Sequence, residues 1–213
     1  GTGMQLQRRA GAKPLLLTER GGVNRYHSVF FARKDSGINS LADMQGRSIA
    51  FQGTGSTSAY IVPAAALLDQ GLQLEILLSP MDRPTPDSVG YVFARSELNI
   101  AAWVHKRLVD AGVFSSQDWG DVRRMPPAFR QDMKIIHETP DYPRALEMVR
   151  GNLDPRVEAR LREVLLEAAN DPAAREAMNL FFRTTRFLPV DPDAQRGLDR
   201  VRDGVVRVRE QVE

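Results

Sequence analysis

The feature that most constrains this chain is one strand–loop–helix unit. Ser48 to Phe51 (SIAF) is a short apolar run of strand character. It passes into Gly53-Thr54-Gly55-Ser56-Thr57-Ser58 and then a helical stretch that reaches Gln70 and is closed by Gly71. Glycines let a backbone approach a ligand closely. Three hydroxyl residues follow where first-turn amides point outward with partial positive charge. Neutral donors so arranged suit a tetrahedral oxyanion. The loop lacks the Gly-Lys-Ser/Thr ending of a P-loop, and Ser58 stands where a dinucleotide fingerprint needs its third glycine. A Ser/Thr-rich helix cap with no ligand is the alternative that spacing alone leaves open. Pro63 falls inside the expected helix, so a short first turn and a kink are predicted there.

No internal repeat or low-complexity segment stands out along the chain. Tyr26 to Arg33 reads as a strand, ended by Lys34-Asp35-Ser36-Gly37. Leu41 to Met44 reads as a short helix capped by Asn39 or Ser40 and ended by Gly46. Leu74–Leu78 and Val89–Ala94 are apolar runs separated by a Pro-rich exposed loop, 79–88. Leu98 to Ala111 has helical spacing, with Gly112 read as its end. Met133 to His137 and Arg144 to Arg150 read as strands. Helices are expected over about 155–169, 172–182 and 193–212. Asp154-Pro155 and Asp171-Pro172 are good starts, an acidic cap followed by proline. Strands alternating with helices argue an α/β fold with a largely parallel sheet.

Composition narrows the function classes. The 213 residues are 42% hydrophobic and 26% charged, which suits a packed core. No apolar run approaches the roughly 20 residues of a membrane helix. The formal charge is only +2, so nucleic-acid binding is not expected. Without cysteine there is no disulfide, thiol catalysis or Cys-based metal site. His27, His105 and His137 show no ligand spacing, and no metal or cofactor is expected. No nucleophile–base pair is visible, so no catalytic residue is assigned. Trp103, Phe181, Phe182 and Phe187 are expected in the core, and the Arg-rich 196–209 stretch as a solvated helix face. Gly1-Thr2-Gly3 before Met4 reads as a cloning remnant outside the fold.

The order YHSVFFARKDSGINSLADMQGRSIAF, GSTSAYIVP, NIAAWVHKRLVDAG and MKIIHETPDYPRALEMVRGNLDP, together with the Ser-Thr-Ser loop and its downstream proline, resembles the PhnD-type solute-binding proteins of ABC importers for phosphonate, phosphite and phosphate. The resemblance runs from about Pro14 onward. It implies a two-lobed α/β architecture of the periplasmic-binding-protein type II class, with the first lobe incomplete because the family's chain begins earlier. On that reading 34–138 is lobe two. Residues 1–33 and 139–213 are the hinge strands, near Tyr26–Arg33 and Arg144–Arg150, plus the rest of lobe one. The signal peptide is absent from this chain and taken as upstream or removed, with a periplasmic location. The implied function is capture of a small phosphorus oxyanion in an inter-lobe cleft and delivery to a membrane permease.

Carried over residue by residue, Tyr26 stands at the family's ligand-contacting tyrosine, and Ser56, Thr57 and Ser58 at its phosphonate-binding loop. Glu97 falls where aminophosphonate binders have a histidine. Their two carboxylates for the ligand amine fall at Gln117 and Ala145, so an aminoalkyl phosphonate is not expected. A bare carboxylate at Glu97 would repel a dianion, so it must point away, bind a proton-bearing oxygen or mark another ligand. Arg95 and Arg144 could supply positive charge, or be ordinary surface arginines. An incomplete lobe exposes apolar surface and a strand edge, which predicts self-association. The other readings are a ligand-sensing domain of a signalling protein, an enzyme on a related fold, and an incomplete chain with no working site.

Overall fold

The computed structural model describes residues 1–212. In chain order the elements are α1 (Thr2–Ala10), β1 (Lys13–Arg20), β2 (Arg25–Tyr26), β3 (Ser28–Arg33), β4 (Ser48–Phe51), α2 (Val62–Asp69), β5 (Gln73–Ile76), β6 (Ser88–Phe93), α3 (Glu97–His105), β7 (Ala111–Ser115), α4 (Ser116–Gly120), α5 (Pro127–Arg130), β8 (Met133–Glu138), β9 (Tyr142–Pro143), β10 (Leu146–Val149), α6 (Pro155–Glu167), α7 (Pro172–Leu180), β11 (Thr184–Leu188) and α8 (Pro192–Gln211). They fall into two compact units. The first holds Gly1, His27–Pro140 and the chain from Asp203 onward; the second holds Thr2–Tyr26 and Asp141–Arg202.

The first unit is built on a six-stranded sheet in the order β5-β6-β4-β7-β3-β8. β5, β6, β4 and β7 run parallel, and β3 is antiparallel to both β7 and β8. The sheet is therefore mixed, where the alternation of elements had suggested a largely parallel one. β3 causes the difference. Its SVFFAR run is buried from Ser28 to Ala32, and a strand hidden on both faces can pair in either direction. The expected strand Tyr26–Arg33 is interrupted at His27. Its short first piece, β2, pairs with β9 in the second unit. The first unit consequently begins at His27 and takes in β3 as a strand of its sheet, a wider span than the 34–138 segment expected.

The core of this unit gathers Phe31, Ala50, Ile100, Val104, Phe114 and Met125 from both sides of the chain, with Trp103 and Trp119 packed against it. Phe31 and Phe114 lie 4.7 Å apart between ring centres. β7 corrects the sequence reading. Helix α3 stops at His105, and Gly112 is not a helix end but a residue in the middle of a buried strand. A Cβ there would meet Ile100 Cγ2 at 2.5 Å and Phe31 Cζ at 2.7 Å. Only glycine lets α3 and Phe31 close on the strand. The apolar pattern of α3 is broken by His105-Lys106-Arg107 and Asp110 before Ala111–Phe114 resumes as strand, a break that the helical reading carried through. At the start of β7, Asp110 accepts hydrogen bonds from the Ser48 amide (2.8 Å) and hydroxyl (2.9 Å), which ties it to the start of β4.

The second unit has a three-stranded antiparallel sheet, β10-β1-β11. Leu15, Leu16, Met178 and Phe187 form its small core, with Leu165, Leu166 and Ala168 packed against it. β1 and β11 carried no strand signal in the sequence reading, since the apolar run of β1 is only Pro14–Leu17 and β11 (TTRFL) holds just two apolar residues. Asp154 and Asp171 cap α6 and α7 as expected, accepting from the amides of Arg156 (2.8 Å) and Ala173 (2.9 Å). Two corrections belong here. Residues Thr2–Ala10 form a helix with Met4 buried, so the start of the chain is part of the fold. Of the three phenylalanines expected in the core only Phe187 is buried. Phe181 and Phe182 are 51% and 63% exposed, because α7 ends at Leu180 and the chain turns back through left-handed backbone at Phe182 and Arg183. Helix α8 begins in this unit, where Ala194, Leu198 and Val201 are buried and Arg196 and Arg200 exposed; from Asp203 it belongs to the first unit.

Candidate functional site

The first unit's sheet has a switch point between β4 and β6. From β4 the chain crosses by α2 to β5 on one side; from β6 it crosses by α3 to β7 on the other. The loops leaving the carboxyl ends of two such adjacent strands flank a crevice, the common place for a ligand in open α/β sheets. Here the two loops are tied together. The amides of Ala94 and Arg95 donate to the carbonyls of Phe51 (2.8 Å) and Gln52 (2.9 Å), and the Gln52 side chain donates back to the Arg95 carbonyl at 3.3 Å.

The first loop carries the hydroxyl cluster. Ser56 is extended and caps the turn that follows: its hydroxyl accepts from the Ala59 amide at 3.1 Å. Thr57 to Ile61 forms one π-helical turn, broken at Ala59 (φ −116°, ψ 19°), before α2 begins at Val62. That break explains Pro63. It lies in the first turn of a new helix, where a missing amide hydrogen costs nothing. Thr57 and Ser58 are half-buried, and Gly1 lies against the Thr57 side chain. Beneath the turn Tyr60 is fully buried, with its ring 5.3 Å from Phe51 and 5.1 Å from Phe93. The backbone of the loop therefore rests on a rigid aromatic floor.

The second loop mirrors the first. Ser96 caps α3, its hydroxyl accepting from the Asn99 amide at 3.2 Å, and Asn99 returns a side-chain hydrogen bond to the Ala94 carbonyl at 2.8 Å. Two serine-capped turns thus open at one edge of the sheet. Only the first was singled out in the sequence, because Ser96 stands without a glycine-rich neighbourhood. Arg95 sits between the loops in left-handed backbone, φ 67°, with an exposed side chain. Left-handed backbone costs a non-glycine residue roughly 1–2 kcal/mol, and the two Gln52 hydrogen bonds hold it there. Among the described residues its guanidinium makes no ion pair.

Glu97 is the first residue of α3, where a helix start favours negative charge. Its carboxylate lies 3.2 Å from Arg124 Nη1. Arg124, 27 positions downstream, thus offsets the Glu97 charge, a partner that the sequence did not suggest. Nothing in the spacing marked Arg124. The other two expected residues, Tyr26 and Arg144, belong to the second unit. Tyr26 pairs with Tyr142 across β2–β9, their ring centres 4.9 Å apart. Arg144 donates to the Arg20 carbonyl at 3.0 Å. Ser56, Thr57, Ser58, Arg95 and Glu97 are the expected residues that the first unit brings together. Among the described residues, no group of three or more His, Asp or Glu side chains could hold a metal ion, and no helix is long and apolar enough to cross a membrane.

Comparison with known proteins adds the following. Residues 1–195 match the family described as the phosphonate periplasmic substrate-binding protein of ABC transporters. The structure of XAC2383 from Xanthomonas citri bound to ATP is 50% identical, with a TM-score of 0.91 over 99% of this chain and 76% of that one. Its chloride-bound form is 49% identical, with a TM-score of 0.90 over 98% and 75%. PhnD1 from Prochlorococcus marinus in complex with methylphosphonate shares the fold at 19% identity and a TM-score of 0.60, over 97% of this chain and 76% of that one. The phosphate-import protein PhnD of Mycolicibacterium smegmatis is 28% identical over an alignment of 109 residues that covers 46% of this chain; the match spans only about a third (34%) of that protein's length.

Proposed function

Because the chain belongs to the phosphonate periplasmic substrate-binding protein family of ABC transporters, we propose that it works in the periplasm, takes up a small phosphorus oxyanion and hands it to a membrane permease. Proteins of this family bind and deliver rather than catalyse. The ligand would be a phosphonate, phosphite or phosphate. The observation that carries this reading is the pair of serine-capped turns at the β4–β6 switch point. In it the amides and hydroxyls of Ser56, Thr57 and Ser58 hold the oxyanion as neutral donors. Arg95 adds a charge at the edge. Arg124 offsets Glu97, so the nearest carboxylate does not repel the ligand.

A second reading, that the ligand is a nucleoside polyphosphate, is favoured by one observation: the 50% identical Xanthomonas citri protein is described with ATP bound. The same donors would then hold a terminal phosphate, with Arg95 on the next one.

A thermal-shift and calorimetry panel separates the readings: phosphate, phosphite, methylphosphonate, sulfate and ATP. A ligand at about 100 times its Kd stabilises the folded state by about 2.7 kcal/mol. A shift with one phosphorus oxyanion and none with sulfate supports the first reading, and a shift with ATP alone supports the second. The double change Ser56→Ala/Ser58→Ala should abolish whichever binding is seen. Unchanged affinity in that variant would remove the loop from the site.

A further inference from the structure

Helix α6 is the most exposed long element of the second unit. None of its 13 residues is buried. One face, through Leu165 and Leu166, packs on the small core. On another, Val157, Leu161 and Val164 are 54%, 37% and 46% exposed. They stand at i, i+4 and i+7, a single stripe. Beside it runs a second stripe, Arg156, Arg160, Glu163 and Glu167, which is basic in its first half and acidic in its second. Open hollows flank the helix at both ends: the first is lined by Arg160 and Leu161 among others, the second by Val164, Glu167 and Ala168.

This layout has a particular symmetry. An apolar stripe beside a charge stripe that reverses sign along its length is complementary to itself turned end for end. We propose that the outer face of α6 is an interface for a second copy of this chain, the two helices packing antiparallel about a twofold axis. With the axis between Leu161 and Val164, each Leu161 meets Val164 of the second copy. Position 160 of one helix then faces position 167 of the other, so an Arg160–Glu167 pair forms twice. A parallel arrangement gives no such pairing, since like signs would lie side by side. Within the chain Arg160 already pairs with Glu163 at 2.8 Å, but both are well exposed, so that contact is weak and can be exchanged. A four-turn helix pair is smaller than a standard interface, so the dimer is weak and concentration-dependent.

Sedimentation equilibrium of the full chain, from low micromolar to millimolar concentration, reads this directly. A monomer–dimer equilibrium is expected. Leu161→Glu should weaken it at least tenfold, with circular dichroism unchanged because the residue is exposed. Arg160→Glu and Glu167→Arg should each weaken dimerisation, and the double variant Arg160→Glu/Glu167→Arg should restore it. Restoration supports the antiparallel pairing in a way that loss of fold cannot imitate. A monomer throughout the range overturns the proposal and leaves the face to other polypeptide. A dimer indifferent to Leu161→Glu overturns it too, because association then uses another surface.

Discussion

The two units differ in how they spend their apolar residues. In the first, six strands bury side chains on both faces, and Phe30, Phe31, Phe51, Tyr60 and Phe114 are fully enclosed. In the second, three strands carry a core of few side chains, while Leu180, Phe181, Phe182, Val157, Leu161 and Val164 face outward. Sheet width is the physical reason. A wide sheet with a helix against each face shields its inner strands completely, whereas a three-stranded sheet has two edge strands and one interior strand. The rigid loops of the candidate site stand on the wide sheet. Among the first unit's own exposed apolar residues Leu78, Met81 and Val122 lie in loops, whereas those named in the second unit lie on or beside α6 and α7.

The sharpest way to break this contrast is a pair of truncations. Phe31→Ala removes a ring from the centre of the first unit and should cost about 3–5 kcal/mol. Leu180→Ala, at 84% exposure, should cost under about 0.5 kcal/mol. Urea unfolding of both variants measures this, and a large cost at Leu180 would show that the second unit's apolar end is packed after all.

Acid should sharpen the contrast next. In the second unit Glu19 is buried and is held below the usual carboxylate range, chiefly by hydrogen bonds from Arg186 and then from Thr185. In the first, Asp35 is pulled down to about 2 by hydrogen bonds from Arg33 and Arg107, but it lies on the surface. Both pKa values are depressed on folding. Each group therefore contributes stability above its unfolded value, near 4.5 for Glu19 and 3.8 for Asp35. That stability is lost as pH falls through the folded value. Solvent screens the exposed Asp35 pairs, so the enclosed Glu19–Arg186 pair is expected to contribute the more, even with desolvation working against the Glu19 carboxylate. Hydrogen exchange resolved by segment should show β1 and β11 losing protection before β3 and β7 as pH drops below about 4.5. Glu19→Gln should flatten that response, and Asp35→Asn should change it little.

The smallest expected effect is at the turn after α7. Arg183 adopts φ 58°, a conformation that glycine reaches without strain. Arg183→Gly should stabilise the second unit by less than about 1 kcal/mol, because glycine's added freedom in the unfolded chain offsets part of the relief. A rise in melting temperature checks the sign. A fall would mean that the arginine side chain holds the turn.

Much of this was legible in the residues. The caps at Asp154, Asp171 and Ser40, the strand Ser48–Phe51 and the hydroxyl loop after it all follow from local chemistry. Each needs only a side chain meeting a nearby amide, or a glycine ending a helix. What was missed depends on distant partners. β7 was missed although His105-Lys106-Arg107 and Asp110 break the apolar pattern before it, because Gly112 looks like a helix stop until Phe31 and Ile100 are in place. Phe182 was read as core because nothing local says that α7 ends two residues earlier. In the candidate site Ser56 to Ser58 were legible, and Arg124 was not, since only folding brings it to Glu97.

By itself the sequence determined the alternation of strands and helices, their caps and the donor-rich loop, because these are set within a few residues by backbone geometry and hydrogen bonding. Tertiary structure alone decided the direction of β3, the second serine-capped turn beside the first, the neutralisation of Glu97 and the bare outer face of α6. Those depend on which segments meet. That choice is made by burying apolar surface across long separations in the chain.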